Sequence, residues 1–277
     1  MSTPGRLISG LVTTVMALAG FAMAGTLPAT AAPGMIPYVA LGDSYAAGTA
    51  HGCSQSGYPE LLKDGRIESP VIAACSGWKI SDVLSYVDDP QLTALDSSTR
   101  LVTLTVGAAN LGLSDVLTAC SRGATQDCLQ KIADARLLLG DCTGGESSEL
   151  DGDLSKLYGE VAAKAPRARI MVTGYPLLFE SPPTGSLQAA INEATTDLNC
   201  VIERAVATAN NADVNIHYVD VTDVFSGHGI VIDSTESDFI YATGLEVFHP
   251  TAKGYKAYAD AISAALPSGW LKQEPLA

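Results

Sequence analysis

The stretch Tyr38-Val39-Ala40-Leu41-Gly42-Asp43-Ser44 decides how the rest of the chain is read. Val39 and Leu41 give it the β-branched and apolar body of a strand. Gly42 permits a sharp exit, and Asp43 can hydrogen-bond nearby backbone. Ser44 is thereby left at the carboxyl end of a strand, the edge of an open α/β sheet at which ligands bind. We read Ser44 as a candidate nucleophile. A Gly-Asp-Ser triplet is equally ordinary turn and helix N-cap chemistry, so this reading depends on a base elsewhere in the chain.

On the amino-terminal side of that stretch, Arg6 precedes an apolar run from Leu7 to about Ala24. Ala29-Thr30-Ala31 then supplies the small-residue pattern of a signal-peptidase site. Residues 1–31 are therefore expected to be a signal peptide, cleaved near Ala31, and 32–277 a single exported domain. The competing reading, a retained membrane anchor, suffers from the small residues that dilute the run and from the lack of a charged stop-transfer flank. The six cysteines, at 53, 75, 120, 128, 142 and 200, all follow the leader, as expected of a disulfide framework outside the cytosol. Spacing by itself leaves fifteen pairings open. With no Cys-x-x-Cys and no histidine clustered with cysteine, zinc is disfavoured and no metal site is expected. A formal net charge of −14 opposes nucleic-acid binding and electrostatic adsorption to anionic membranes.

Towards the carboxyl terminus, strand and helix patterns alternate. A short helix near Tyr58 to Lys63 and a brief strand at Val71 to Ala74 follow the Ser44 strand. Ile80 to Tyr86 and Leu92 to Leu95 read as short helices. Leu101 to Val106 has the β-branched density of a buried, central strand. Leu129, Ile132 and Leu137 fit one packing helix between Cys128 and Cys142. Leu150, Leu154, Leu157 and Val161 fit another, stopped at Pro166. Ile170 to Thr173 is the next strand, Leu187 to Ile202 a long helix, Val214 to Val221 the last strand, and Thr251 to Ala264 a final helix. Alternation of this kind predicts one mostly parallel sheet covered on both faces, an α/β sandwich of three layers.

The base is sought among four histidines. Glu246-Val247-Phe248-His249-Pro250 puts a histidine just before a helix, with a carboxylate three residues earlier and proline at a favoured first helical position. Glu246 could accept the proton of one imidazole nitrogen and so turn the other towards a serine hydroxyl. His51 and His217 have blander readings, in a loop and within a strand. His228, in Gly227-His228-Gly229, is the rival base.

With Ser44 and His249 in view, the chain resembles the SGNH, or GDSL, hydrolase family, and its secreted bacterial lipases and esterases in particular. Gly42-Asp43-Ser44-Tyr45 matches the nucleophile block, and Phe248-His249-Pro250 with Thr251-Ala252-Lys253-Gly254-Tyr255 matches the histidine block. Ala74-Cys75-Ser76-Gly77 resembles the block whose glycine lends a backbone N–H to the oxyanion hole, which carries that role onto Gly77 beside the N–H of Ser44. Gly174-Tyr175-Pro176 is also similar to a stretch of the family. The resemblance implies a flavodoxin-like three-layer α/β/α sandwich and disulfides between sequence neighbours: Cys53 with Cys75, Cys120 with Cys128, Cys142 with Cys200.

Two departures from the family pattern bear on catalysis. The usual Gly-x-Asn-Asp is Gly107-Ala108-Ala109-Asn110, so an ungapped match puts Ala109 where the oxyanion asparagine belongs and leaves Asn110 one residue late. The usual Asp-x-x-His is Glu246-x-x-His249. What the resemblance implies is acyl transfer from a small ester or lipid, through a Ser44 acyl-enzyme with His249 as base, by a monomer that requires no cofactor. A carbohydrate O-deacetylase is the alternative chemistry on the same constellation. A secreted binding protein with weakened catalysis is the alternative that Ala109 raises.

Overall fold

The computed structural model describes residues 35–53, 56–62, 65–85, 91–120, 123–140, 147–212, 214–232, 237–268 and 270. The expected signal peptide lies outside them, as does Cys142. In chain order the elements are β1 (Tyr38–Gly42), α1 (Ser44–Ala47), α2 (Tyr58–Leu61), β2 (Val71–Ile72), α3 (Ile80–Val83), β3 (Leu101–Thr105), α4 (Leu113–Cys120), α5 (Gln126–Leu139), α6 (Glu149–Lys164), β4 (Arg169–Thr173), β5 (Phe179–Glu180), α7 (Leu187–Asn211), β6 (Ile216–Val219), α8 (Thr222–Phe225), β7 (Ile230–Val231) and α9 (Ala252–Ala265). Single 3-10 turns occupy Gln91–Ala94 and Ala108–Leu111.

Five strands form one sheet in the order β2-β1-β3-β4-β6, with every neighbouring pair parallel. Parallel strands are covered on both faces by their crossover helices, which explains why β1 and β3 are buried at every residue and read as continuous apolar runs. Two helical groups flank the sheet: α6 and α7 pack together with α3 and α5, while α9 packs with α2 and α8. From β1 the chain adds β2 on one side and β3 on the other, so strand order reverses at the carboxyl ends of β1 and β3. In doubly wound sheets that crevice is the ligand site.

Buried hydroxyls within the sheet are paired. Thr105 exchanges hydrogen bonds with Tyr58 (2.9 Å) and Thr173 (2.6 Å), and Tyr38 meets Thr103 at 2.8 Å.

Several expectations need correction. Beyond the main sheet, β5 and β7 form a separate two-stranded parallel sheet, so β6 is not the last strand. Phe179–Glu180 and Ile230–Val231 are each two residues long and carry too little periodicity to stand out in the sequence. Helix α5 forms, but Leu129 and Leu137 are 55% and 79% exposed, and Cys128, Ile132, Ala135 and Leu139 face inward instead. Cys53–Cys75 and Cys120–Cys128 are bonded as the resemblance implied. Cys200 is also disulfide-bonded, and its expected partner Cys142 lies outside the described residues.

Candidate active site

Ser44 is the first residue of α1, two residues past the end of β1. Asp43 caps that helix, its Oδ1 accepting from the Tyr45 N–H at 3.0 Å. The exit from β1 is geometrically unforgiving: Gly42 has φ +128°, and a Cβ there would stand 2.0 Å from the Thr105 carbonyl oxygen, which accepts the Asp43 N–H at 2.8 Å. Backbone thus passes where no side chain fits, which is why glycine precedes the serine. Gln91 closes the other side, its amide accepting from the Gly42 N–H at 2.7 Å and donating to the Gly42 carbonyl at 2.8 Å. The strand end is held rigidly at the point where the hydroxyl must be aimed.

His249 arrives from the loop before α9. Its Nε2 is 2.8 Å from the Ser44 Oγ, and its Nδ1 is 3.1 Å from the Val247 carbonyl oxygen. With Nδ1–H donating to that carbonyl, Nε2 is left unprotonated towards the serine. Burial, the largest influence, holds the imidazole below its ordinary pKa. The Val247 hydrogen bond and then the Glu246 charge act in the opposite direction, and His51 again lowers it. A neutral imidazole at neutral pH is the state a general base needs.

The carboxylate of Glu246 does not fill the role expected of it. Its Oε2 accepts from the Ala50 N–H at 2.6 Å and its Oε1 from the Thr49 hydroxyl at 3.2 Å. The reason lies in the backbone: Phe248 adopts φ +66°, a left-handed conformation costly for a side chain with a Cβ, and the turn Glu246–His249 presents the Val247 carbonyl to the imidazole. Tyr45 anchors that turn, donating from its hydroxyl to the Phe248 carbonyl at 2.6 Å. His228, the rival base, pairs with Asp238 at 2.9 Å and stacks on Phe239.

Gly77 has φ +76°, and nothing lies within 4 Å of where its Cβ would be, so its turn borders open space. No described residue accepts from the backbone N–H of Ser44 or of Gly77. The Gly77 turn is tied to the loop after α1 by Cys53–Cys75 and by the Ser76 hydroxyl, which donates to the Ala50 carbonyl at 2.6 Å. Asn110, in the turn after β3, uses its side-chain carbonyl to accept from the Ile80 N–H at 3.0 Å, at the start of α3.

Beneath the serine, Asp43 is buried, and the Tyr175 hydroxyl donates to its Oδ2 at 2.5 Å. Desolvation dominates over the hydrogen bonds from Tyr175 and Tyr45 and pushes the carboxyl up to about 7. Tyr175 is fixed in turn by Asn199 of α7, whose amide brackets the Tyr175 N–H and carbonyl at 2.8 and 2.7 Å. Sequence reasoning missed Gln91 and Asn199. A signal for the latter existed: Asn192 and Asn199 recur at seven-residue spacing on the apolar face of α7, where a polar side chain must find a backbone partner.

With this geometry in view, the comparisons converge. The profile of the GDSL-like Lipase/Acylhydrolase family matches residues 40–257, a span that includes both Ser44 and His249. The chain is 31% identical over 276 residues to a lipase of Streptomyces rimosus, covering 92% of this chain and 95% of the relative. It is 32% identical over 268 residues to lipase 1 of Streptomyces coelicolor, covering 90% and 94%. Among solved structures, the extracellular lipase from S. rimosus superposes with a TM-score of 0.68 at 31% identity, covering 83% of this chain and 100% of that one. Phospholipase A1 from Streptomyces albidoflavus NA297 gives 0.67 at 33%, covering 85% and 100%. Fold and relatives together define a carboxylic ester hydrolase of lipase or esterase type. The chain belongs to the GDSL-like lipase/acylhydrolase family.

Proposed function

We propose that this protein is a secreted serine lipase or esterase that works through an acyl-enzyme on Ser44. The observation that carries the proposal is the 2.8 Å contact between Ser44 Oγ and His249 Nε2. In the forward step Nε2 takes the hydroxyl proton as Oγ bonds to the ester carbonyl carbon. The tetrahedral adduct collapses as the same proton passes to the leaving alcohol. Water then attacks the acyl-serine by the same relay, releasing the acid and restoring the serine. Nδ1–H stays on the Val247 carbonyl throughout, so a peptide dipole orients and stabilises the imidazolium where many triads use a carboxylate. The backbone N–H groups of Ser44 and Gly77 are the oxyanion donors in this scheme, with Asn110 holding the start of α3.

Export follows from the leader ahead of Ala32 and from the cysteines behind it, and the S. rimosus relative is itself an extracellular lipase. No helix among the described residues is long and apolar enough to cross a membrane.

Ser44→Ala and His249→Ala should each lower ester turnover by about 10⁴-fold or more while circular dichroism stays unchanged. A fluorophosphonate probe should label the wild type and not Ser44→Ala. Normal turnover in either folded variant would reject the assignment.

A further inference from the structure

Strands β1, β3 and β4 are neighbours in the sheet, and one hydroxyl that follows β4 ties together the turns leaving the other two. The Tyr175 hydroxyl donates to Asp43 Oδ2 at 2.5 Å and accepts from the Ala108 N–H at 3.2 Å. Asp43 caps the helix that begins with Ser44, and Ala108 opens the 3-10 turn Ala108–Leu111, in which Ala109 stands where an oxyanion asparagine belongs. The chain of bonds runs one way, from Ala108 N–H to Tyr175 to Asp43 Oδ2, while Oδ1 of the same carboxyl accepts from the Tyr45 N–H.

The hydroxyl is itself firmly placed. Asn199 brackets the Tyr175 backbone at 2.8 and 2.7 Å, and glycine precedes it because a Cβ on Gly174 would stand 2.8 Å from Asn199 Oδ1. The Gly174 carbonyl accepts from the buried Tyr258 hydroxyl at 3.0 Å. On its other side the Tyr175 ring meets Tyr45 edge to face, with centroids 5.1 Å apart, and Tyr45 reaches on to the Phe248 carbonyl of the histidine turn. Tyr175 and Asp43 are both buried, so water does not compete for the bond between them.

The turn after β3 supplies no such tie of its own. Ala108, Ala109 and Leu111 have no polar side chain, and the Asn110 side chain accepts from the Ile80 N–H instead. Among the described residues, the polar link from this turn to the cap of the nucleophile's helix is therefore the Tyr175 hydroxyl. Its loss would strand a buried carboxylate oxygen and a backbone N–H together, and both turns would shift to find other partners.

We propose that Tyr175 is a positioning residue for the reaction: its hydroxyl fixes the Ser44 turn and the Gly107–Asn110 turn relative to each other, so that the nucleophile and the oxyanion site keep one geometry as charge develops. The inference rests on the acyl-transfer reading of Ser44.

The test is Tyr175→Phe, which keeps the ring and removes only the oxygen. It is assayed with 4-nitrophenyl butyrate at about pH 8, where Asp43, raised to about 7, is largely ionised and accepts from both donors. A displacement of about 1 Å costs about a hundredfold, so kcat should fall about 10- to 100-fold. KM should move less than about threefold, because the braced turns meet the reacting atoms. Butaneboronic acid, which forms a tetrahedral adduct on the serine oxygen, should weaken as an inhibitor by the same factor as kcat/KM. In an Asp43→Asn background the same substitution should cost less than in the wild type, because the two residues act through one bond. Wild-type kcat in folded Tyr175→Phe, or equal losses in the two backgrounds, would overturn the brace and leave serine catalysis intact. Should Tyr175→Phe not fold, Asp43→Asn alone carries the test, and unchanged kcat and boronate affinity there would overturn the proposal. A wild type inert to esters and to fluorophosphonate would overturn the acyl-transfer reading and the brace with it.

Discussion

Replacing Asp43 by asparagine should change how stability depends on pH. Asp43 lies in the interior directly before the nucleophile, and its carboxyl is raised from 3.8 to about 7, chiefly by burial. Between those values the unfolded chain has released the proton while the folded chain still holds it. Folding therefore binds an extra proton, and stability falls as pH rises through this window. The advantage of the protonated carboxyl is complete below about pH 4 and gone above about pH 7. A shift of about three pH units at ~1.4 kcal/mol per unit gives about 4 kcal/mol of pH-dependent stability. For a domain of this size that corresponds to roughly 10 °C in melting temperature. Asparagine keeps an acceptor for the Tyr45 N–H but does not titrate. It also leaves the Tyr175 hydroxyl without its carboxylate acceptor, a pH-independent offset that cancels when slopes are compared. Urea denaturation of both proteins from pH 4 to 8 reads the difference directly. Relative to Asp43→Asn, the wild type should lose about 4 kcal/mol across the window. Parallel curves would refute the reasoning and mean that Asp43 ionises normally in the fold.

Four further substitutions address Glu246 and the oxyanion block. Because Glu246 bonds Ala50 and Thr49 rather than the imidazole, Glu246→Ala should lower turnover by only about tenfold to hundredfold, through slackening of the loop tied to Gly77. In Glu246→Gln, loss of a charge that raises the His249 pKa should move the acid limb of the pH–rate profile to lower pH. Loss of turnover comparable to His249→Ala, or an unmoved acid limb, would contradict this placement. Asn110→Asp keeps the carbonyl that accepts from Ile80 but removes the amide donor, so turnover should be retained. A loss of about 100- to 1000-fold would identify Asn110 as an oxyanion donor. Ala109→Asn should raise turnover if the missing donor is restored there.

The sequence by itself determined those features that depend on local dihedral preference and periodicity. The density of Leu101–Val106 identified a buried central strand because parallel strands are covered on both faces and need no alternation. Gly42-Asp43-Ser44 was legible because glycine and aspartate suit the turn they form, and Phe248-His249-Pro250 through its match to the family's histidine block, although Phe248 takes a left-handed conformation that costs it. Tertiary structure alone decided which groups those turns meet. That Val247 rather than Glu246 faces the imidazole follows from a left-handed Phe248 held by Tyr45 from 203 residues away. Asp43 is met by Tyr175 across 132 residues, and Gly42 by Gln91 across 49. The inward residues of α5 also differ from the leucines its pattern favoured. Such pairings are set by which strand ends the topology brings together and by which polar groups are then left in need of a partner away from water. Neither quantity is carried by any local window of residues.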